Sequence, residues 1–413
     1  MEFKNILLKD SKIEVVFGYR EGDLCHCRFL FNVGSYYEDD KTRGISHLIE
    51  HLMFNCCPGL SSLDFNRKMD ELGMSINAST SREFTRFYFT GVRDNFIEAL
   101  RHYFNIISNF TVTEEILAKE VEVVCNEIGV SKDDNWDTLY NNMNAQAFKS
   151  HPIKDPILGY EDVLRNLTVE DVQNYYDKFY CIENLKLIIV GDFVEEEIIA
   201  LDESLSNFRS GEASEIIRVD DKQVVPFVKK IISYKDGLYQ SFIDSFVPFK
   251  ERQTNIFVPH VASNILGCSM SSYLWDEFRE KRSLSYIVGA YNGCIDIDNS
   301  RLHMYAALNN SEDIDLAESI FENAISYLKN VGEDEFNKGL IMLKSAHLIN
   351  IQKITELASL WEDYNYFYRG TESFEEYINQ LNKITYDDFK LFTDALDVED
   401  MVTGIIYPQE VQR

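Results

Sequence analysis

His47, Glu50 and His51 form the sequence H-x-x-E-H, whose spacing suits a catalytic zinc site. Residues three and four positions apart lie on one face of an α-helix, so the three side chains can point at one spot. Two neutral imidazoles can bind the metal, which leaves the carboxylate free to accept a proton from the attacking water. Because an amphipathic helix can carry this pattern by coincidence, the motif alone indicates a zinc hydrolase without establishing one.

A catalytic zinc ion has three protein ligands and an open position for water, so the motif lacks one ligand. The segment from Thr111 to Ile128 is predicted to be a long helix, because it opens with a capping-box pattern and carries an apolar stripe. Glu120 and Glu127 lie two turns apart on a second face of this helix. Both carboxylates are candidates for the metal site, although a glutamate on a helix usually faces solvent.

The segments around the motif predict an α+β fold. Residues 12–17 and 24–33 have strand patterns, and apolar residues of the second segment alternate onto one face. After the motif, a second helix is predicted to begin at Ser61 or Ser62, and residues 82–92 return to strand alternation. Strands and helices are thus grouped rather than strictly alternating, which favours an antiparallel sheet packed with helices.

An internal repeat occurs at about half the chain length. A helix start near Thr168 and a strand at 185–191 are echoed by a helix start near Thr385 and a strand at 402–406. We therefore predict two homologous domains, each an antiparallel sheet packed with helices. The predicted domains are residues 1–203 and 227–413, joined by a polar linker at 204–226.

Composition limits the classes of partner. Of the 413 residues, 45% are hydrophobic, enough for two cores, and no apolar run reaches the length of a membrane span. The formal net charge of −29 makes nucleic acid and anionic membranes poor partners. This charge serves solubility, or it forms an acidic interior that attracts basic peptides, and composition leaves both interpretations open. The N-terminus lacks the layout of a signal or transit peptide, which predicts a cytosolic, bacterial location.

Eight cysteines are scattered without a disulfide-like framework, so we expect reduced and mostly buried thiols. The pair Cys56-Cys57 follows the motif closely, where thiol reagents could disturb the site. A role as metal ligands is not favoured, because no second cysteine pair has zinc spacing.

These features are similar to the signature of the M16 metallopeptidases, a family that includes pitrilysin, insulin-degrading enzyme and the mitochondrial processing peptidase. The resemblance rests on His47-x-x-Glu50-His51 and Glu120-x6-Glu127 and extends over nearly the whole chain, as in the short bacterial members of the M16B type. It implies a LuxS/MPP-like metallohydrolase fold in both domains. Further matching segments are Gly34-Ser35-x2-Glu38, Met53-Phe54, Asn77-Ala78-x-Thr80-Ser81-Arg82-Glu83-x-Thr85, His151-Pro152, Gly159, Leu167-Thr168-x-Glu170-Asp171, Asn184, Val190-Gly191-Asp192 and Arg279-Glu280-Lys281-Arg282-x-Leu284-x-Tyr286-x-Val288.

The resemblance implies a role for each residue of the motif. His47, His51 and Glu127 would bind one zinc ion per chain. Glu50 would be the general base that deprotonates the attacking water. Glu120 would be a carboxylate that orients a ligand histidine or tunes the site.

Four other residues receive substrate-binding roles from the same resemblance. Arg279 and Tyr286 would hold the substrate and stabilise the oxyanion. Asn77 and Ala78 would pair through their backbone with an extended peptide. Two alternatives stay open, since Arg279 could pair with a glutamate on its own helix face and Tyr286 could be a half-buried strand residue.

Two segments depart from the family pattern. After Phe54 many relatives continue with Lys-Gly-Thr, whereas this chain has Asn55-Cys56-Cys57. Ser283 replaces a glycine that is common within the arginine–tyrosine motif, which predicts an altered turn. Neither departure removes a ligand or the base.

By this resemblance we expect a zinc-dependent endopeptidase that cleaves peptides or unfolded segments in an enclosed dimeric chamber. In the family, the arginine–tyrosine pair acts on the zinc site of the other subunit. One chain here holds both features, which favours a homodimer. The alternatives are a heterodimer with a paralogue that matures a leader peptide, a peptide-binding scaffold with little activity, and a zinc hydrolase of non-peptide substrates.

Overall fold

The computed structural model describes residues 3–206, 208–215, 226–250, 255–368 and 374–409. The chain forms two compact units, each assembled from three separate segments. The first unit comprises Met1–Val130, Asp155–Ile217 and Asn350–Glu375, and the second comprises Ser131–Lys154, Arg218–Ile349 and Glu376–Arg413.

The segments of the two units interleave along the chain. Helix Asn135–Ala147 belongs to the second unit, and helix Ile354–Tyr368 belongs to the first. Of the linker predicted at 204–226, residues 207 and 216–225 lie outside the described residues. The domain boundaries at 203 and 227 stay a prediction.

Six strands form the sheet of the first unit, namely β1 (Phe3–Leu7), β2 (Glu14–Tyr19), β3 (Leu24–Phe31), β4 (Met74–Thr80), β5 (Thr85–Val92) and β6 (Leu185–Gly191). Their order is β1-β2-β6-β3-β5-β4, and neighbouring strands are antiparallel except β2 and β6. Because β6 lies between two strands of opposite direction, it must be parallel to one of them. The sheet is therefore mixed, which corrects the wholly antiparallel sheet predicted from the sequence.

Most helices of this unit cover one face of the sheet and enclose the core. Ser61 caps one of them by accepting a hydrogen bond from the Asp64 N–H, and Phe65 and Met69 on its inner side are buried. The helix predicted at 111–128 is also present, and its apolar stripe is buried. The helices of this unit are Ile45–Met53, Ser62–Glu71, Phe96–Ser108, Glu114–Asp133, Glu161–Leu164, Val169–Phe179, Glu195–Ile199 and Ile354–Tyr368.

The opposite face of the first sheet carries charged residues. Side chains alternate along β3, so Arg28 points away from the core residues Cys27 and Phe29. Arg28 forms a buried ion pair of 2.8 Å with Glu362 on helix Ile354–Tyr368. A segment far along the chain therefore completes the first unit.

Five strands form the sheet of the second unit, namely β7 (Lys230–Lys235), β8 (Ser241–Lys250), β9 (Ser285–Cys294), β10 (Asn299–Leu308) and β11 (Val402–Pro408). Their order is β7-β11-β8-β10-β9, and only β7 and β11 are parallel among these described strands. The late strand β11 lies between two earlier neighbours, as β6 does in the first unit. The helices are Asn135–Ala147, Val258–Gly267, Tyr273–Trp275, Ile314–Lys329, Glu333–Asn350, Phe374–Lys383 and Tyr386–Ala395, with a π-helical turn at Asp276–Glu280.

The repeat inferred from the sequence has the same local structure in both units. Thr168 and Thr385 each accept a hydrogen bond from the N–H three residues ahead, and each helix start is a complete capping box. The strand that follows, β6 or β11, takes the equivalent place in its sheet. The predicted α+β class with two related domains is confirmed. Within the described part of the chain, the helices are all too short or too polar to span a membrane.

Candidate metal centre

The H-x-x-E-H motif lies on helix Ile45–Met53, whose start is anchored by a buried carboxylate. Both oxygens of Glu38 accept backbone hydrogen bonds, at 2.8 Å from Gly44 and 2.9 Å from Ser46. Burial raises the pKa of Glu38 to about 7, although these hydrogen bonds act in the opposite direction. Gly44 has a φ of 96°, and a Cβ there would lie 2.7 Å from the Leu158 carbonyl oxygen. These contacts therefore fix the orientation of the motif helix at its first residues.

The side chains of His47, His51 and Glu127 converge on one point. Glu127 Oε2 lies 3.7 Å from His47 Nε2 and 3.4 Å from His51 Nε2, and the two imidazole rings are 4.7 Å apart. The three potential ligand atoms lie within 4.8 Å of one another. Glu127 is partly exposed, as expected for a ligand that faces an open site rather than the core.

This cluster fits a zinc ion by its chemistry. Two imidazole nitrogens and one carboxylate oxygen are a known catalytic donor set. Burial, with the nearby His51, lowers the pKa of His47 to about 3, which keeps the ring in the neutral form that binds a metal. His47 Nδ1 is buried and has no hydrogen-bond partner among the described residues. In the described part of the second unit no comparable cluster occurs.

Glu50 lies beside this cluster and does not belong to it. Its Oε2 accepts a hydrogen bond of 2.6 Å from Thr80 Oγ1, at the end of β4. Burial raises the pKa of Glu50, while the Thr80 hydrogen bond and the His51 charge lower it. A carboxylate whose pKa is raised toward neutrality is suited to accept and return a proton.

Glu120 is buried, in contrast to the solvent-facing alternative. Its Oε2 lies 3.9 Å from His51 Nδ1, the ring nitrogen that faces away from Glu127. Its other oxygen accepts from Asn55 Nδ2 at 3.4 Å. Asn55 is one of the residues that depart from the family pattern, and here it contacts the carboxylate of Glu120, behind His51.

Asn77 and Ala78 lie on β4, the edge strand of the first sheet. In the described part of the chain, β4 pairs with β5 on one side only. The Asn77 carbonyl oxygen accepts from Tyr103 Oη at 3.1 Å. A cavity of about 350 Å³ joins this edge to Glu50 and His51. An extended peptide on the free edge would therefore lie next to the carboxylate and the histidines.

Arg279 and Tyr286 belong to the second unit. The Arg279 guanidinium lies 4.4 Å from the ring centres of both Trp275 and Tyr286. Tyr286 is 70% exposed on the edge strand β9, so it is not a half-buried strand residue. The nearby Glu277 pairs with Lys281 and Arg282. The pair thus forms a cation–π arrangement in which Arg279 is partly exposed and Tyr286 is exposed.

Sequence reasoning gave no role to Glu38 and Thr80, and it noted Ser283 only as a departure from the family pattern. Glu38 anchors the motif helix, and Thr80 binds the Glu50 carboxylate, although both lie in segments that match the family. Ser283 has a φ of 55°, a left-handed conformation that explains the glycine common at this place. The glycine that is common at this position in the family was the sequence signal that could have predicted the left-handed conformation.

The cysteines next to the site are buried and reduced. All eight cysteines are free, and six are buried, with Cys268 and Cys294 exposed. Burial raises the pKa of Cys56 to about 12 and also raises that of Cys57. Burial therefore favours the protonated thiol over the reactive thiolate at both positions.

The fold and the site together define a protein of two related α+β units with a His–His–Glu cluster in one of them. The family profile described as Insulinase (Peptidase family M16) matches residues 15–161. The profile described as Peptidase M16 inactive domain matches residues 166–343. The chain belongs to peptidase family M16.

Individual relatives and a solved structure agree with this assignment. An uncharacterized zinc protease of Rickettsia felis is 26% identical over 407 residues, 98% of this chain and 97% of the relative. A probable mitochondrial-processing peptidase subunit beta of Arabidopsis thaliana is 27% identical over 168 residues, 41% of this chain and 32% of the relative. A protease from Helicobacter pylori aligns with a TM-score of 0.88 at 20% identity, over 98% of this chain and 100% of that one, which supports the fold.

Proposed function

We propose that this chain is a zinc-dependent endopeptidase, with one zinc ion held by His47, His51 and Glu127. The observation that carries the proposal is one cavity in which a potential metal ligand, His51, and a carboxylate, Glu50, face the free edge of a strand. A free edge recognises peptide backbone, which favours a peptide substrate over a small molecule. The name of the Rickettsia felis relative, a zinc protease, agrees with this choice of metal.

The residues divide the work of peptide hydrolysis as follows. The β4 edge at Asn77 and Ala78 holds the peptide extended through backbone hydrogen bonds. Bound zinc would polarise the scissile carbonyl and lower the pKa of water. Glu50 accepts the proton of the attacking water on its carboxylate and then passes it to the leaving amine. Glu120, behind His51 Nδ1, favours the tautomer whose Nε2 lone pair points toward Glu127.

The assembly that we favour is a homodimer with an enclosed chamber. Arg279 and Tyr286 would hold substrate and stabilise the oxyanion at the site of the other subunit. Tyr286 is exposed and Arg279 is partly exposed, which supports a role toward a ligand rather than within the core. A heterodimer with a paralogue is the alternative, since one relative is named as a subunit of a processing peptidase.

The substrates would be peptides or unfolded segments short enough to enter such a chamber. Basic peptides would be preferred if acidic residues line it, because the chain carries a formal net charge of −29. Turnover of Lys/Arg-rich peptides would then slow with added salt.

The test combines metal analysis with digestion of a mixed peptide library. We expect one zinc ion per chain and broad internal cleavage by the wild type. Glu50→Gln should keep the zinc and lose the cleavage, because it removes only the proton acceptor. Glu122→Gln is the matched control, since Glu122 is an exposed glutamate that pairs with Arg165. Zinc without any turnover by the wild type would contradict the peptidase and favour a binding scaffold.

A further inference from the structure

Thr80 connects the two parts of the proposed site. It is the last residue of β4, the free edge strand, and its hydroxyl donates to Glu50 on the motif helix. The hydrogen bond is 2.6 Å long, within the usual range for a hydroxyl that donates to an oxygen acceptor. The contact joins a strand to a helix thirty positions earlier in the chain.

We propose that Thr80 is a positioning residue that fixes the Glu50 carboxylate for proton transfer and couples its orientation to the peptide-binding edge. This inference rests on the proposed peptidase function and goes beyond it. It gives a task to a residue of the Asn77–Thr85 segment that the mechanism above does not use.

The geometry of Glu50 explains why such a partner is needed. A glutamate has three rotatable side-chain bonds, and freezing them costs free energy that a hydrogen bond can offset. Thr80 binds Oε2, so Oε1 is the oxygen left for the attacking water, and Glu50 lines the cavity. A carboxylate fixed in this way presents one defined oxygen to the attacking water.

Thr80 is itself held firmly. It pairs in register with Thr85 on β5, and the next residue, Ser81, closes the turn by donating its N–H to Phe84 O at 2.7 Å. The Ser81 carbonyl oxygen also accepts from the Ser35 N–H at 3.1 Å. Threonine has a branched Cβ that restricts its χ1 rotation. The hydroxyl therefore points at Glu50 from a rigid support.

The same strand would align the peptide at Asn77 and Ala78. Any displacement of β4 would move the bound peptide and the Thr80 hydroxyl together, so that the scissile bond and the base keep their relative position. Loss of the hydroxyl should consequently affect the chemical step more than peptide binding.

The test compares three variants on one unstructured peptide. Thr80→Val keeps the branched shape and removes the donor, and Thr80→Ser restores the donor. Ser79→Ala is the control, because alternate residues of a strand point to opposite faces. We expect Thr80→Val to lower kcat roughly ten- to a hundredfold, the range for a hydrogen bond to a charged group, with little change in KM. Thr80→Ser should recover most of the loss, and Ser79→Ala should match the wild type.

Two further measurements separate positioning from a structural role. Zinc content should be equal in all variants. In the Glu50→Gln background, peptide affinity measured by fluorescence anisotropy should not change when Thr80→Val is added. An active wild type with an equally active Thr80→Val variant would overturn the role of Thr80 alone. A Thr80→Val defect confined to KM, to zinc content or to folding would also overturn it, whereas an inactive wild type would contradict the peptidase function.

Discussion

Glu127 Oε2 lies 3.4 Å from His51 Nε2, although the two residues belong to different helices. This separation is longer than the usual length of about 2.7–3.2 Å for an N–H···O hydrogen bond. A zinc ion held at the proposed site would take two of its ligands from this pair. This relationship between two helices is what the proposed metal site requires.

Substitution of Glu127 tests the proposed metal site. We expect Glu127→Gln to lower zinc affinity by more than about 100-fold, because loss of a direct ligand should exceed the typical loss of a supporting residue. Competition against a chromophoric chelator measures the affinity. Glu122→Gln on the same helix should bind zinc like the wild type. Equal affinities in all three proteins would exclude Glu127 as a ligand.

The turn before β9 provides a test of backbone strain. Ser283 has a φ of 55°, which costs an L-residue free energy that glycine does not pay. We expect Ser283→Gly to raise the free energy of unfolding by roughly 0.5–1 kcal/mol, after the larger chain entropy of glycine is subtracted. Denaturant unfolding measures the change. Ser326→Gly, at an exposed position within helix Ile314–Lys329, should instead lower stability.

Much of the local structure could be predicted from the sequence. The helix that carries His47 and His51 follows from the 3.6-residue period, and the cap at Thr168 follows from a short-range side-chain pattern. Such features depend on residues within one turn of each other. The spacing of Glu120 and Glu127 also predicts that both side chains lie on one face of their helix.

Contacts between distant segments could not be predicted in this way. The Arg28–Glu362 pair and the Thr80–Glu50 hydrogen bond depend on how elements pack, and no local period reports that. The parallel pair of strands β2 and β6 was missed for a similar reason. Strand direction depends on where β6 inserts between earlier strands, which is a property of the whole sheet.

The buried His26 predicts how the stability of the first unit changes as the pH falls. Burial lowers the pKa of His26 to about 3, and the Arg28 charge adds to this effect. Below its unfolded pKa of about 6.5, the unfolded chain binds a proton that the folded chain does not, so stability falls as pH falls. The loss should reach about 2 kcal/mol at pH 5.

The variant His26→Asn removes this titration and keeps a polar group near Thr90, the hydrogen-bond partner of His26 at 2.8 Å. Between pH 7.5 and pH 5, its free energy of unfolding should fall by about 2 kcal/mol less than that of the wild type. Denaturant unfolding at a series of pH values measures both slopes. If both proteins lose the same free energy of unfolding over this pH range, the pKa of His26 does not differ between the folded and unfolded states.

Mixing two inactive variants tests whether the site is shared between subunits. Glu50→Gln lacks the base and keeps Arg279, whereas Arg279→Ala lacks the arginine and keeps Glu50. In a symmetric dimer that exchanges subunits, half of the dimers are hybrids, and each hybrid has one intact site if the arginine acts across the interface. An equal mixture should then recover about a quarter of the wild-type activity. Different affinity tags verify that hybrids have formed, and verified hybrids without activity would mean that Arg279 acts within its own chain.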